Sequence, residues 1–599
     1  MDMGGIAGCI HLPLDDDGKV RMLSTMKHRG RDREGSHTIE DCTLMSTGRN
    51  HNGELLPTAE RMGECYCICF DGCVFNRREL SRELGETESD AELVLRGYME
   101  WGPKLLDRIN GVFAMAIYEE KGKQLFLARD RIGVKPLFYM AHQGGLLFAS
   151  EMKTILTYSG VGAKLDGEGA AELLLLGPGR TPGSGVFRGM KEIKPGHYGI
   201  LKGSNLQLRR YWRLTDRNFQ YSLDETAEIV RFLLKDAIYL QMQTDLPVGA
   251  MLSGGLDSSL VSAIASEKLQ GSGKQLSTFS VDYLDSDKHF RSNYFQPSRD
   301  SDFISLMQKH LKSDHHWTVL TPDDLVSHIA DATIARDLPG MADVDISLLA
   351  FCKEIKPYAD TVLSGECADE IFGGYPWYRD EQMRAYDGFP WCQSTHERTA
   401  FLAPWILQKI DPAAFVRDRY LQTIQDADIL PENSDAEKRI KELVNLNFIW
   451  FMQTLLDRGD RMGAFAGVEI RMPFCDYRIA ELLYAVPWSM KDHQGQEKGL
   501  LRYALKDYLP QEVLYRKKSP YPKTYDPHFE QMVSKMVQEL LKQKAAPIFG
   551  LIRREALEDM LAGDFQWPWY GQLMRRPQSL VYMLQINYWL DHYGVEISP

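Results

Sequence analysis

Short apolar runs bounded by turn residues dominate the first roughly 200 residues. Gly111–Tyr118, Leu125–Arg129 and Gly145–Ala149 read as strands, as does Glu64–Phe70, where cysteine occupies every second position. Glu92–Trp101 carries its apolar residues at helical spacing. The Gly/Pro-rich stretch Gly177–Gly185 reads as a loop, and the polar segment Arg213–Ser222 as a boundary. From about residue 225 the spacing turns helical, broken by short apolar runs at Gly249–Leu252, Thr278–Asp282 and Thr361–Ser364. Each ends in turn residues, which fits adjacent strands of a parallel sheet. In such sheets ligands bind beyond the C-terminal strand ends. After about residue 400 the chain reads as mostly helical, closing with an aromatic amphipathic helix at Leu580–Tyr593. The pattern predicts a β-rich domain over residues 1–212, a linker over 213–224 and an α/β domain over 225–599.

A length of 599 residues agrees with two or more domains. The net charge of −13 and pI near 5.7 argue against binding nucleic acid or an anionic membrane through a basic face. No apolar stretch approaches the roughly 18 to 20 residues of a membrane span. The run Leu173–Leu176 stops at Gly177-Pro178-Gly179, and Met1–Gly5 lacks the pattern of a secretory signal. The expected location is cytoplasmic. Six of the ten cysteines fall within the first 73 residues. Cys65, Cys67 and Cys69 share one strand face, a spacing that suits small core residues better than a tetrahedral zinc cage.

Three segments carry chemistry. Leu252–Ser259, LSGGLDSS, lies between the strand-like Val248–Met251 and the helix-like Leu260–Ala265. A strand, a Gly/Ser turn and a helix start form an anion cradle of outward amides and hydroxyls. It lacks the lysine of the G-x-x-x-x-G-K-[ST] loop. Asp257 would repel a bare phosphate, so its presence implies a bridging cation such as Mg²⁺. Ser364–Tyr375, SGECADEIFGGY, places three carboxylates after a strand, and Asp369 could share that ion with Asp257. Arg516-Lys517-Lys518 could stabilise charge on a transferring phosphoryl group, although a basic triplet taken alone reads more as surface than as site.

Taken in order, SGGLDSS, SGECADEIFGGY, GVEIRMPFCD (Gly467–Asp476) and YRKKSPYPK (Tyr515–Lys523) resemble glutamine-dependent asparagine synthetase, B type. The loop itself resembles that of the ATP pyrophosphatases. The first domain adds His28–Asp32, Ser89–Glu92, Leu127–Leu137 and Ala149–Lys153. The resemblance implies an α+β, Ntn-hydrolase-like αββα sandwich followed by an α/β ATP-pyrophosphatase (adenine nucleotide α-hydrolase-like) domain with a helical C-terminal part. It implies ATP and Mg²⁺, adenylation of the aspartate β-carboxylate, attack by ammonia, and a homodimer. By position Leu252 and Val281 would contact adenosine, and Ser364 and Gly365 would also bind ATP. Ser253, Gly255, Asp257 and Ser258 would hold pyrophosphate and Mg²⁺, with Asp369 as the second metal carboxylate. Glu366 would support adenylate formation and Lys518 the charged transition state.

The family begins Met-Cys-Gly-Ile, and its exposed cysteine attacks glutamine. Here the sequence reads Met3-Gly4-Gly5-Ile6, so Gly4 occupies the nucleophile position. Asp71 and Cys73 of Phe70-Asp71-Gly72-Cys73 replace the family's asparagine and glutamate. An ionised Asp71 accepts hydrogen bonds but donates none to an oxyanion. Arg49, Gly72 and Asp90 still match glutamine-binding positions, with Asp71 at the fourth, as a vestigial set. The expectation is an amide-forming ligase fed by free ammonia, by a separate ammonia source or by another amine. Alternatives are a specialised ligase like the β-lactam synthetases, which the segment Arg336–Asp345 disfavours, and a catalytically silent binding or regulatory protein.

Overall fold

The computed structural model describes residues 4–49, 53–244, 246–289, 299–519, 521, 524–563, 565, 567–571 and 574–598. Two compact units emerge: Met1–Leu165 with Pro182–Arg213, and Asp166–Thr181 with Leu214–Pro599.

In the first unit the strand-like runs fold into two six-stranded sheets. One places Gly5–Ile10 between Gly145–Ala149 and Cys42–Gly48, both antiparallel to it. The other centres on Gly111–Glu119, paired with Gln124–Arg129 and Glu64–Val74. Ile6, Ile10 and Leu44 of the first sheet meet Cys67, Cys69, Ala114 and Leu127 of the second in one core. The opposite face of the second sheet, with Ile68, Phe113, Met115 and Ile117, packs against Leu93, Val94 and Tyr98 of the helix Asp90–Trp101. The first sheet is covered by the helix Asp16–Met26. This is the αββα sandwich. The strand Gly111–Glu119 is buried on both faces, which explains why its apolar run is nearly continuous. Cys67 and Cys69 are core residues as expected, whereas Cys65, near the strand's start, is only half-buried.

The second unit is built on a five-stranded parallel sheet: β1 (Val248–Met251), β2 (Ser277–Tyr283), β3 (Asp314–Leu320), β4 (Thr361–Leu363) and β5 (Glu469–Arg471). The strand order is β3-β2-β1-β4-β5. Three strands fall where the apolar runs predicted them. β3 escaped prediction because it is a largely polar edge strand, and β5 because it has only three residues. The order reverses between β1 and β4, the topological switch point at which ligands bind in such sheets.

Two sequence expectations need correction. Residues 166–181 pack into the second unit although they precede the first unit's last strands. Arg398 and Tyr582 donate to the carbonyls of Leu175 and Leu173 at 2.9 Å each, and Arg419 pairs with Glu172 at 3.2 Å. The closing helix, Arg576–His592, is not amphipathic. From Leu580 to Leu590 no residue is exposed, and Gln578, Ser579 and Gln585 are buried with its apolar side chains. Among the described residues no helix is long and apolar enough to cross a membrane.

Candidate active site

The loops leaving β1 and β4 meet at the switch point. Gly255 caps the helix Leu256–Gln270 without a side chain, so no side chain competes for its first-turn amides. The loop braces itself: the Ser253 and Ser258 hydroxyls lie 2.9 Å apart, and the Ser253 amide donates to the Ser258 hydroxyl at 3.1 Å. Gly365 approaches so closely that a Cβ there would sit 2.5 Å from the Ser258 nitrogen. The two loops can touch backbone to backbone only with glycine at that point.

Beyond them opens a cavity of about 250 Å³. Leu252, Ser253, Gly255, Asp257, Ser258, Val281, Ser364, Gly365, Glu366, Asp369 and Lys518 all line it. Every residue that the sequence assigned to the nucleotide side is therefore in one place. Lys498 Nζ lies 2.6 Å from Asp257 and 2.8 Å from Asp369, bridging the two carboxylates, and Lys518 binds the other Asp369 oxygen. Arg458 pairs with Glu366. Arg516 pairs with Asp300 and reaches the Ser253 carbonyl at 3.4 Å, so Arg516 and Lys518 of the basic triplet face inward while Lys517 is exposed. Pro520, Pro522 and Lys523 of the same motif lie outside the described residues.

Burial opposes the charge on Asp369, but Lys498 and Lys518 hold its carboxyl well below the usual range. Burial likewise works against Lys498, and Asp257 and Asp369 raise it above an ordinary lysine. Burial, then the charge of Asp369, pushes Glu370 up to about 7. Asp257 Oδ1 is buried and, among the described residues, has no hydrogen-bond partner. An unsatisfied carboxylate oxygen beside a cavity is costly unless a cation or donor arrives.

In the first unit, Gly4 sits at the head of its strand. Its N–H donates to Asp71 Oδ1 at 3.3 Å, and its carbonyl accepts from Arg29 Nε at 3.0 Å. A Cβ on Gly4 would lie 2.5 Å from the Thr47 carbonyl oxygen. Asp71 is fully buried, 3.4 Å from Arg29 and 3.5 Å from Lys135. Glu151 takes Arg29 at 3.1 Å, His28 at 2.8 Å and Lys153. Gly72 follows with φ +149, where a Cβ would meet the Val112 carbonyl at 2.1 Å. Asp90 pairs with Arg77 at 2.7 Å and accepts from the Val74 amide at 2.9 Å, while Arg49 is buried.

The family described as asparagine synthase matches residues 230–591, and a glutamine amidotransferase domain matches 3–212. The chain is 40% identical to asparagine synthetase [glutamine-hydrolyzing] 3 of Bacillus subtilis, over 96% of each chain. This chain belongs to the asparagine synthase family. It is also 25% identical to asparagine synthetase [glutamine-hydrolyzing] 1 of the same organism, over 85% of this chain and 84% of that one. Amidase chry2 of Gibberella zeae is 27% identical over 80% and 79% of the two chains. As a member of the family the chain is an ATP-dependent carbon–nitrogen ligase with an Ntn-like amidotransferase unit. Sequence reasoning within this family missed Lys498, which lies in the charged segment Asp492–Lys498 that reads as solvated loop. Its one local signal is Gly499, which opens the helix that Lys498 caps from a left-handed conformation.

Proposed function

We propose that this member of the asparagine synthase family adenylates a carboxylate with ATP and joins ammonia to it, without hydrolysing glutamine. The acid is aspartate by default, activated at its β-carboxylate. The observation that carries the reading is the single cavity in which an uncapped helix start, two carboxylates and two lysines face one another.

A carboxylate is a poor acyl donor because oxide leaves badly, whereas AMP leaves well. Attack on the α-phosphate gathers charge on the phosphoryl group and on the departing pyrophosphate. The amides after Gly255 and the hydroxyls of Ser253 and Ser258 would receive pyrophosphate, with adenosine against Leu252, Val281, Ser364 and Gly365. Lys518 and Lys498 are fixed cations, so they need little reorganisation as charge develops. Glu366, held by Arg458, would orient the acid. The donor set fits Mg²⁺: the open oxygen of Asp257, with Asp369, would hold it, and the bound ion would neutralise the pyrophosphate.

The first unit supports ammonia as the nitrogen source. Gly4 has no thiol, and both Asp71 oxygens are engaged as acceptors by Gly4, Lys135 and Arg29. Loss of a nucleophile costs on the order of 10⁶ in turnover by analogy with serine hydrolases. The test is incubation with ATP, Mg²⁺ and aspartate, supplied with either ammonia or glutamine, while pyrophosphate and amide product are measured. Amide from ammonia alone is the expected result. Glutamate released from glutamine at a rate matching the amide overturns the ammonia assignment, and absence of pyrophosphate with aspartate overturns the acid.

A further inference from the structure

The parallel sheet of the second unit ends at β3, and among the described residues no strand pairs with its outer edge. The register fixes which backbone groups face outward. The Asp314 amide donates to the Leu276 carbonyl, and the Leu320 carbonyl accepts from the Leu284 amide, so the even-numbered positions point at β2. His315, Trp317 and Val319 therefore turn their N–H and C=O groups away from the sheet. Their side chains share one face, on which Trp317 is 42% and Val319 54% exposed. The His315 and Trp317 rings meet edge to face there at 5.1 Å. Sheet edges are ordinarily blunted by charge, by proline or by shortness. The edge strands of the first unit carry Arg33 and Glu34, Glu60 and Arg61, Lys191, and Arg209 and Arg210. β5, at the other edge of the parallel sheet, has three residues, all buried. From His315 to Leu320, β3 has no carboxylate, lysine, arginine or proline.

We propose that this edge is an interface between two copies of the chain, which pair their β3 strands antiparallel about Trp317 and join two five-stranded sheets edge to edge. The strand matches an inverted copy of itself. About a two-fold axis through Trp317, each Trp317 faces the other and each His315 faces a Val319, so every outward position exchanges both of its N–H···O bonds. The charges at the two ends match in the same way. Exposed Lys309 and Lys312 stand at the N-terminal end of β3, and exposed Asp323 with half-buried Asp324 stands beyond its C-terminal end. Inversion brings the basic end of one copy beside the acidic end of the other. Asp314 runs against this pattern, but His316 lies 3.2 Å from it. An unrelated strand would satisfy the backbone alone, whereas a second copy also meets the apolar face and both ends. The contact uses the same patch twice and closes, so it leaves no further edge for addition.

The contact does not depend on what the nucleotide cavity binds. The experiment sediments the full chain over rising protein concentration and traps the register with cysteine. The expected result is a dimer that Trp317→Lys weakens about tenfold or more. Val319→Pro does the same, because it removes an outward N–H that the chain's own sheet does not use. Wild-type circular dichroism in both variants shows that the fold is kept. Lys312→Asp weakens association about fivefold, and adding Asp323→Lys restores it. In the paired register the Cα atoms of the two residues 317 lie about 5.5 Å apart, within disulfide reach. Trp317→Cys therefore links two chains when treated with diamide, whereas Val319→Cys, whose copies sit at opposite ends of the pairing, does not. A chain that stays monomeric at every concentration overturns the proposal. So does a dimer that both Trp317→Lys and Val319→Pro leave intact, or equal linkage through Val319→Cys.

Discussion

Both units bury acids and bases together, and they do so to opposite ends. In the first unit Arg29, Lys135, Asp71, Glu151 and His28 are spent on one another and on the Gly4 backbone. In the second, Asp257, Asp369, Lys498 and Lys518 line a cavity, and one carboxylate oxygen is left over. The difference is not the amount of buried charge but whether it is satisfied. A saturated cluster fixes geometry, whereas an unsatisfied one beside an empty volume is set up to receive a ligand.

The contrast can be broken at four places. Asp257→Ala should remove pyrophosphate release by about 10³-fold or more, since it deletes the open oxygen and Lys498's partner. Release at the wild-type rate, measured with ATP, Mg²⁺ and aspartate, would contradict the metal assignment. Arg29→Met should act on stability instead: stranding Asp71 and Glu151 costs about 3–5 kcal/mol, read from denaturant unfolding. An unchanged midpoint would mean that the first cluster is not structural. Gly4→Cys should restore no glutamate release, and overpacking against the Thr47 carbonyl should cost about 1–3 kcal/mol. Recovery of glutaminase activity by that one change would show the pocket to be intact. The smallest effect is on pH. Burial lowers His28 below an ordinary histidine, so between its folded and unfolded values the unfolded chain binds more protons. Stability should therefore rise with pH through that window and fall on acidification below about pH 6.5. His28→Gln should flatten that acid limb in thermal melts from pH 5 to 7.

Much of the second unit was legible because its chemistry sits in contiguous segments. The loop after β1, the loop after β4 and the triplet at Arg516–Lys518 each announce themselves locally, and the parallel-sheet rule places them together. Lys498 was not legible. Apart from the glycine that follows it, one lysine in a charged stretch carries no local mark, and only the fold puts it between two aspartates that lie 241 and 129 residues away. β3 hid because an edge strand has a wet face. The place of residues 166–181 hid because local periodicity does not tell which unit a segment packs into. The closing helix was misread because polar positions such as Gln578 and Gln585 looked like a solvent face, although Gln578 bonds Asp343 at 3.0 Å inside the unit.

The bridge made by Lys498 also sets an order of events during synthesis. The ribosome makes Asp257 and Asp369 long before the ammonium that lies between them. A nascent chain halted before Lys498 holds two neighbouring carboxylates, their loops locked together through Gly365, with neither lysine to offset their repulsion. The proposed nucleotide cradle is therefore a late-maturing part of the molecule, and a chain shortened by its last hundred or so residues would have the Ser253–Ser259 loop without Lys498 or Lys518.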